Sequence, residues 1–457
     1  MNSAISSTVM GTNEPTRREI LLGAGALGLA GAAAGCAPGE AAAKVDYALT
    51  IAPVSVEIAP DKIIKTVGYN GTVPGPLMRF REGQQATIAV TNKSDVAELV
   101  HWHGLRAPSV LDGTMEEGTP MIEPGKSATY SFTVNPSGTR WYHTHAMAGK
   151  DTTRSLYSGQ YGFLYVELKN NPGRYDQEIF IAMHQWEAYF NPPGMDIAYK
   201  SGSFNDKALG HGEPIRVRQG QRVLFRLLNA SARGDIMLAL PGHTFTVLTM
   251  DGNPVPHPQT VETLMVASAE RIDVVVEMNS PGAWVLGSTR DAERDRGLGI
   301  VVEYAGATGE PQWQAPKMAM WDYLMFANAA PAAEPDVRVN LLIGKIVDGH
   351  DGYNVWTING KAWPDTDPIM VEKGKRYRLM FNNDTGDMHP MHLHRHNFEV
   401  ANLAGKPTSG LIKDVVNIPR RAMSELDFVA DNPGPSLMHC HMQEHQDFGF
   451  MVLVKYA

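Results

Sequence analysis

Ten of the sixteen histidines stand in four tight groups, and one of the two cysteines sits inside a group. The groups are His101-Trp102-His103, His143-Thr144-His145, His389-Pro390-Met391-His392-Leu393-His394, and His439-Cys440-His441 followed by His445. In a strand, residues i and i+2 point to the same side, so a His-x-His pair aims two imidazoles at one region. Imidazole suits copper, zinc and iron, and an added thiolate favours copper in a trigonal site of two His and one Cys. A single His-x-His would be a weak sign. Four of them, one with Cys440 between its imidazoles, point to bound copper rather than to ten unrelated core or surface histidines.

A pattern that occurs three times says what must position these groups. Each copy has an apolar residue, a Gly three later, alternating apolar residues, and an Asn nine after the Gly. The copies are Phe80, Gly83, Ala86, Ile88, Val90, Asn92; Val217, Gly220, Val223, Phe225, Leu227, Asn229; and Val371, Gly374, Tyr377, Leu379, Phe381, Asn383. Alternation at period two predicts a half-buried strand, and the Gly predicts the turn before it. Turn residues are frequent (44 Gly, 30 Pro) and long helical periodicity is scarce, so the chain reads as all-β, with three related Greek-key β-sandwich domains. The expected division is a leader at 1–43 and domains at 44–170, 171–310 and 311–457. The last begins with a link rich in Ala, Pro and Met that carries a short helix around Met318 to Phe326.

Counting from the Asn makes the groups equivalent. His101 and His103 lie 9 and 11 residues after Asn92, and His392 and His394 lie 9 and 11 after Asn383. Likewise His143 and His145 correspond to His439 and His441. Two pairs from each outer domain imply a pseudo-twofold interface of about eight imidazoles, enough for three copper ions. Only the last domain adds His389, Cys440 and His445; the first has Glu98, Thr144 and Gly149 in those places. The middle domain has Ile236, Ala239 and Pro241 near the positions of His389, His392 and His394, and reads as a copper-free spacer. Cys440 joins a thiolate-bound copper to the cluster through a few backbone bonds, which is an electron path. His396 aligns with His243, each two residues before a Phe, and is read as structural; His184, His211, His257 and His350 are read the same way.

The first residues read as an address. Arg17-Arg18 before a short Gly- and Ala-rich apolar stretch resembles a twin-arginine export signal, which implies a periplasmic or exported protein that crosses folded. Ala33-Ala34-Gly35-Cys36 resembles a lipoprotein cleavage box, so a lipid anchor at Cys36 is weighed against plain peptidase cleavage nearby. With Cys36 in the leader, a disulfide framework is excluded for the body. A net charge of -9 and pI of about 6.0 argue against nucleic acid or an anionic membrane surface as partner. A monomer is expected.

The four clusters resemble the copper-binding motifs of multicopper oxidases, the family of laccases and bacterial copper-efflux oxidases. The resemblance runs over the whole body and includes Asn70-Gly71-Thr72-Val73-Pro74-Gly75-Pro76. It implies cupredoxin-like domains and four copper ions that pass electrons from a reductant to O2. A type 1 copper would be held by His389, Cys440 and His445, and a type 2 copper by His101 and His392. A type 3 pair would be held by His103, His143, His145, His394, His439 and His441. In members with an axial methionine, that residue lies ten positions after the Cys; here it is Phe450, with Met451 next. This implies a three-coordinate type 1 site of high potential, the alternative being a local shift that lets Met451 reach the copper. Asp112 and Glu444 match acids that similar enzymes place beside the cluster and its water channels, which implies proton delivery to O2; Asp112-Gly113 also reads as a turn. The reductant expected is a phenol or aromatic amine, as for a laccase. The second reading is a metallo-oxidase of Cu(I), Fe(II) or Mn(II), because Met318, Met320, Met325, Met388, Met391 and Met442 lie in the link or near the ligands. A copper-free structural protein and a copper nitrite reductase are further classes, and the full ligand set argues against both.

Overall fold

In the computed structural model the three repeats form the strands Gln85–Asn92, Arg222–Asn229 and Arg376–Asn383. The structure describes residues 44–168, 174–192, 195–317 and 321–457. The arginine pair, Cys36, Met318 and Met320 lie outside the described residues. Gly83, Gly220 and Gly374 open the three strands at φ of 84°, 82° and 87°, where a side chain would strain the turn. Ile88, Phe225 and Leu379 are fully buried, each contributing about 1.5–3 kcal/mol; the expected half-burial fails in Arg222–Asn229, where every residue after Arg222 is buried because both faces are covered.

The closing Asn is a staple. Its Oδ1 accepts the backbone N–H two residues on, from Ser94, Ser231 or Thr385. Its Nδ2 donates to two carbonyls, those of Val96 and Ile122, of Gly234 and Val266, or of Asp387 and Pro419. The loop after the strand is thereby folded back across the sandwich. In the first and last repeats that loop delivers the first histidine group of its sandwich.

Each repeat strand runs parallel to the opening strand of its own sandwich, Tyr47–Ala59, Gln177–Trp186 or Val337–His350. The second and third sandwiches share one strand order, a seven-stranded sheet against a five-stranded sheet. The five-stranded sheet of the third carries His389–Leu393 between Ser436–Cys440 and Val415–Ile418, and pairs His392 with His439. The first sandwich is thinner, with four strands against three around one apolar core. There the stretch equivalent to His389–Leu393 is irregular and held by a bridge between His101 and His143. That bridge repeats the His392–His439 register, so the count from the Asn holds in three dimensions. The expected helix in the link is a single 3₁₀ turn, Tyr323–Phe326, whose Leu324 N–H donates to Asp322. His396 and His243 are matched too, each set between a carbonyl (His394, Pro241) and a tyrosine hydroxyl (Tyr456, Tyr304).

Candidate metal centres

The eight paired histidines meet where the first and third sandwiches face each other, none more than 6 % exposed. Their inner nitrogens form two mixed triads: His103 and His143 with His441, and His145 with His394 and His439. Between the triads, His101 Nε2 and His392 Nε2 stand 3.4 Å apart. Within them, His103 Nδ1 lies 3.4 Å from His143 Nε2, and His439 Nε2 lies 3.1 Å from His394 Nε2 and 3.4 Å from His145 Nε2.

The outer nitrogens explain why the inner ones converge. His101 Nδ1 donates to the carbonyl of Asp112 (2.8 Å), His392 Nδ1 to that of Asp414 (2.7 Å), His143 Nδ1 to that of Thr144 (2.7 Å) and His439 Nδ1 to that of Cys440 (2.9 Å). A carbonyl can only accept, so each such ring carries its proton outside and turns a lone pair inward. Burial keeps His143, His392 and His439 neutral by pushing their pKa down, that of His439 to about 3. Both nitrogens of His441 are buried without a hydrogen-bond partner, a costly state that a metal ion would relieve. Neutral imidazoles in a buried site are the donor set that transition metals such as copper take.

Two aspartates cross the interface reciprocally. Asp112 offers its carbonyl to His101 of its own sandwich and its carboxylate to His394 Nδ1 of the other (2.9 Å). Asp414 offers its carbonyl to His392 and its carboxylate to His103 Nε2 across the interface (3.1 Å). Burial opposes the charge of Asp414, but Arg271 (2.7 and 2.5 Å) and Arg140 (3.2 Å) outweigh it and hold the carboxyl below its usual range. Glu117, close to Asp112, reaches to 3.3 Å from His394 Nδ1, and burial followed by the Asp112 charge raises its pKa. Sequence reasoning found Asp112 and missed Asp414 and Glu117. Asp112 follows His101 by 11 residues and Asp414 follows His392 by 22, because the third sandwich inserts the strands Phe398–Leu403, Lys406–Pro407 and Ile412–Lys413. Matching acids by equivalence across the interface, rather than by spacing, would have found it.

The cysteine lies in a second centre. His389 Nδ1 and His445 Nδ1 are 3.2 Å apart, and Cys440 Sγ is 3.8 and 3.5 Å from them. These edges put a common point about 2 Å from every donor, close to a metal–nitrogen or metal–sulfur bond length. The set is fully buried. Phe450 is also fully buried, with its ring centroid 5.0 Å from that of His389. Met451 pairs with His439 in register and packs with Leu437, Leu453 and Trp363 on the opposite face. The two neighbouring side chains thus face opposite ways, Phe450 toward the cysteine centre and the thioether away from it.

The expectation for Glu444 is corrected. Its carboxylate does not stand beside the paired histidines; it is ion-paired with Arg233 and lies 3.8 Å from His445 Nε2. The strand ends at Cys440 and Gln443–Asp447 coils into one helical turn, so period-two pointing no longer applies. The acid facing back toward the His143–His145 loop is Asp447, which accepts the N–H groups of Ala148 and Gly149 and is pushed up to about 7 by burial.

Aromatic and charged or polar side chains share the cover of the cysteine centre. Phe190, Tyr353 and Phe448 stand over His445, with Tyr353 stacked on Phe448 at 4.9 Å and 8°. Met195, Asp196, Arg233, Asn354 and Glu444 line the rest of the wall with Trp356, and the free volume is about 10 Å³, space for no more than one water. Trp356 packs on the His445 ring at 3.8 Å. Met391 and Met442 lie in the apolar core, and Met325 is exposed.

The comparisons agree with this geometry. Three sequence models described as "Multicopper oxidase" match residues 51–171, 139–303 and 340–457. The multicopper oxidase MmcO of Mycobacterium tuberculosis is 31% identical, over 90% of this chain and 87% of that one. Among solved structures, a laccase from Botrytis aclada superposes with a TM-score of 0.76 at 21% identity (89% of this chain, 87% of the other). Fet3p, a multicopper oxidase that functions in iron import, superposes at 0.78 and 19% (90% of each). With three cupredoxin-like sandwiches and two buried donor sets that fit copper, the chain belongs to the multicopper oxidase family, oxidoreductases that use O2 as electron acceptor.

Proposed function

We propose that the protein is a laccase-like oxidase that couples one-electron oxidation of phenols or aromatic amines to the four-electron reduction of O2 to water. The observation that carries this reading is the cover over His445, an aromatic wall of Phe190, Tyr353 and Phe448 whose flanking acids are paired with Arg233. When bound, copper would supply electron uptake at His389, Cys440 and His445, and O2 reduction among the eight paired histidines, with His101 and His392 as the type 2 pair and the two triads as the type 3 pair. The chain supplies the rest. Cys440 lies between His439 and His441, so the two centres share a covalent path. Asp112 and Glu117 sit together at His394, and burial followed by the Asp112 charge raises the pKa of Glu117, which favours a proton on that acid for delivery to oxygen. Phe450 leaves the cysteine centre without a thioether, which favours Cu(I) and a high potential.

The reading extends to domain borders at 43/44, 170/171 and 310/311, to a monomer, and to export through the twin-arginine leader, with Cys36 as a candidate lipid anchor. A metallo-oxidase of Cu(I), Fe(II) or Mn(II) is the second reading, favoured by the nearness of Asp196 and Glu444 to His445. Copper-loaded protein assayed with a dimethoxyphenol, Cu(I) and Mn(II) separates the two. Turnover of the metal ions with negligible phenol oxidation would contradict the laccase-like reading.

A further inference from the structure

The middle sandwich has no histidine pairs, yet it keeps the staple that places them in its neighbours. Asn229 closes its strand and donates to the carbonyl of Gly234 at 2.8 Å. The loop so folded carries Arg233 out of the middle sandwich and over the cysteine centre of the third. Nearby backbone bonds fix the approach: Gln443 N–H, at the start of the turn that carries Glu444 and His445, donates to the carbonyl of Ala232 at 2.9 Å.

There the guanidinium is ion-paired with Glu444, 3.2 Å from Asp196 and 3.8 Å from Asp387. Lys345 pairs with the far side of Asp387 at 3.0 Å. Three carboxylates thus face two fixed cations. Two more atoms point into the same cleft without a hydrogen-bond partner: His445 Nε2 and Glu444 Oε2, on side chains 0% and 5% exposed. Two carboxylates and an imidazole lining one cleft are donor types that Mn(II) or Fe(II) takes. A buried carboxylate cannot remain charged alone; it needs a cation. Arg233 is that cation. It is permanently charged, and unlike a metal ion it cannot deliver an electron to His445.

We propose that Arg233 is a specificity-determining residue: its guanidinium holds the place of a divalent metal reductant between Asp196 and Glu444, so the outer edge of His445 is closed to metal ions and left to aromatic donors. The inference rests on the laccase-like reading and assigns the middle sandwich a part in choosing the substrate. Full-length, copper-loaded protein is titrated with Mn(II), and free metal is followed by its six-line EPR signal. Wild type is expected to bind no Mn(II) in the cleft. Arg233→Gln is expected to bind one per chain, and adding Asp196→Asn to weaken that binding by about tenfold or more. The ratio of kcat/KM for Mn(II) to that for dimethoxyphenol should rise by about tenfold or more in Arg233→Gln and stay at the wild-type value in Arg233→Lys. Should Gln unfold the loop, Arg233→Met keeps the apolar stem and removes the charge. Blue absorption equal to wild type with no gain in Mn(II) binding would overturn the proposal, as would Asp196-dependent Mn(II) binding by wild type. Wild-type protein that oxidises metal ions but not phenols would sink the laccase-like reading instead, a result visible without any variant.

Discussion

Asp414→Asn removes one negative charge at the junction of all three sandwiches. Asp414 is fully buried, accepts three contacts from Arg271 and Arg140, and holds His103 Nε2. Breaking a buried pair leaves its partner charged and unpaired, which costs about 3–5 kcal/mol. The carbonyl that orients His392 belongs to the backbone and stays. The loss at the metal should therefore fall on the triad of His103, His143 and His441. An outer partner of a ligand is worth about 10–100-fold in metal affinity, roughly 1.4–2.7 kcal/mol. Urea unfolding of the metal-free variant should show the stability loss. Chelator challenge of the loaded variant should strip copper from the cluster while the blue band of the cysteine centre survives. A metal-free stability within about 1 kcal/mol of wild type, or equal loss from both centres, would refute the reasoning.

Other outcomes follow from the same geometry. Cys440→Ser should bleach the blue colour and abolish oxidase activity; retention of either contradicts the assignment. Phe450→Met should lower the reduction potential of the cysteine centre, whereas Met451→Leu, on the far face, should leave it unchanged; the opposite pattern in redox titration would reverse the two faces. His184 is fully buried, and burial lowers its pKa from about 6.5 to about 4. A lowered folded pKa gives stability that is complete above 6.5 and lost as pH falls toward 4. The difference in unfolding free energy between wild type and His184→Gln should thus shrink by about 3 kcal/mol over that window. A constant difference would contradict it.

Much of the site was legible because it obeys two countable rules. The Gly-to-Asn repeat fixed where each strand ends, and Asn92 and Asn383 set the same distance to their histidine pairs. The resemblance put Phe450 at the axial position by its distance from Cys440, and the structure turns Met451 to the opposite face. The failures occur where counting stops. The inserted hairpin at 398–413 hid the equivalence of Asp112 and Asp414. The helical turn at Gln443–Asp447 swung Glu444 to the outer side of His445. Arg233 lay in a stretch read as a spacer, since only packing between sandwiches shows that its loop crosses into the third. The aromatic cover likewise draws Phe190 from one sandwich and Tyr353 and Phe448 from another, a juxtaposition that no local spacing encodes.

The central claim is that the outer two sandwiches enclose one cluster of metal ions and the third sandwich alone adds a cysteine-bound ion. Metal analysis of protein loaded with copper under reducing, anaerobic conditions, followed by oxygen-electrode measurement on the same sample, tests it directly. About four copper ions per chain and consumption of O2 with a reductant present are expected. Binding of one or two ions per chain, with O2 untouched, would contradict it.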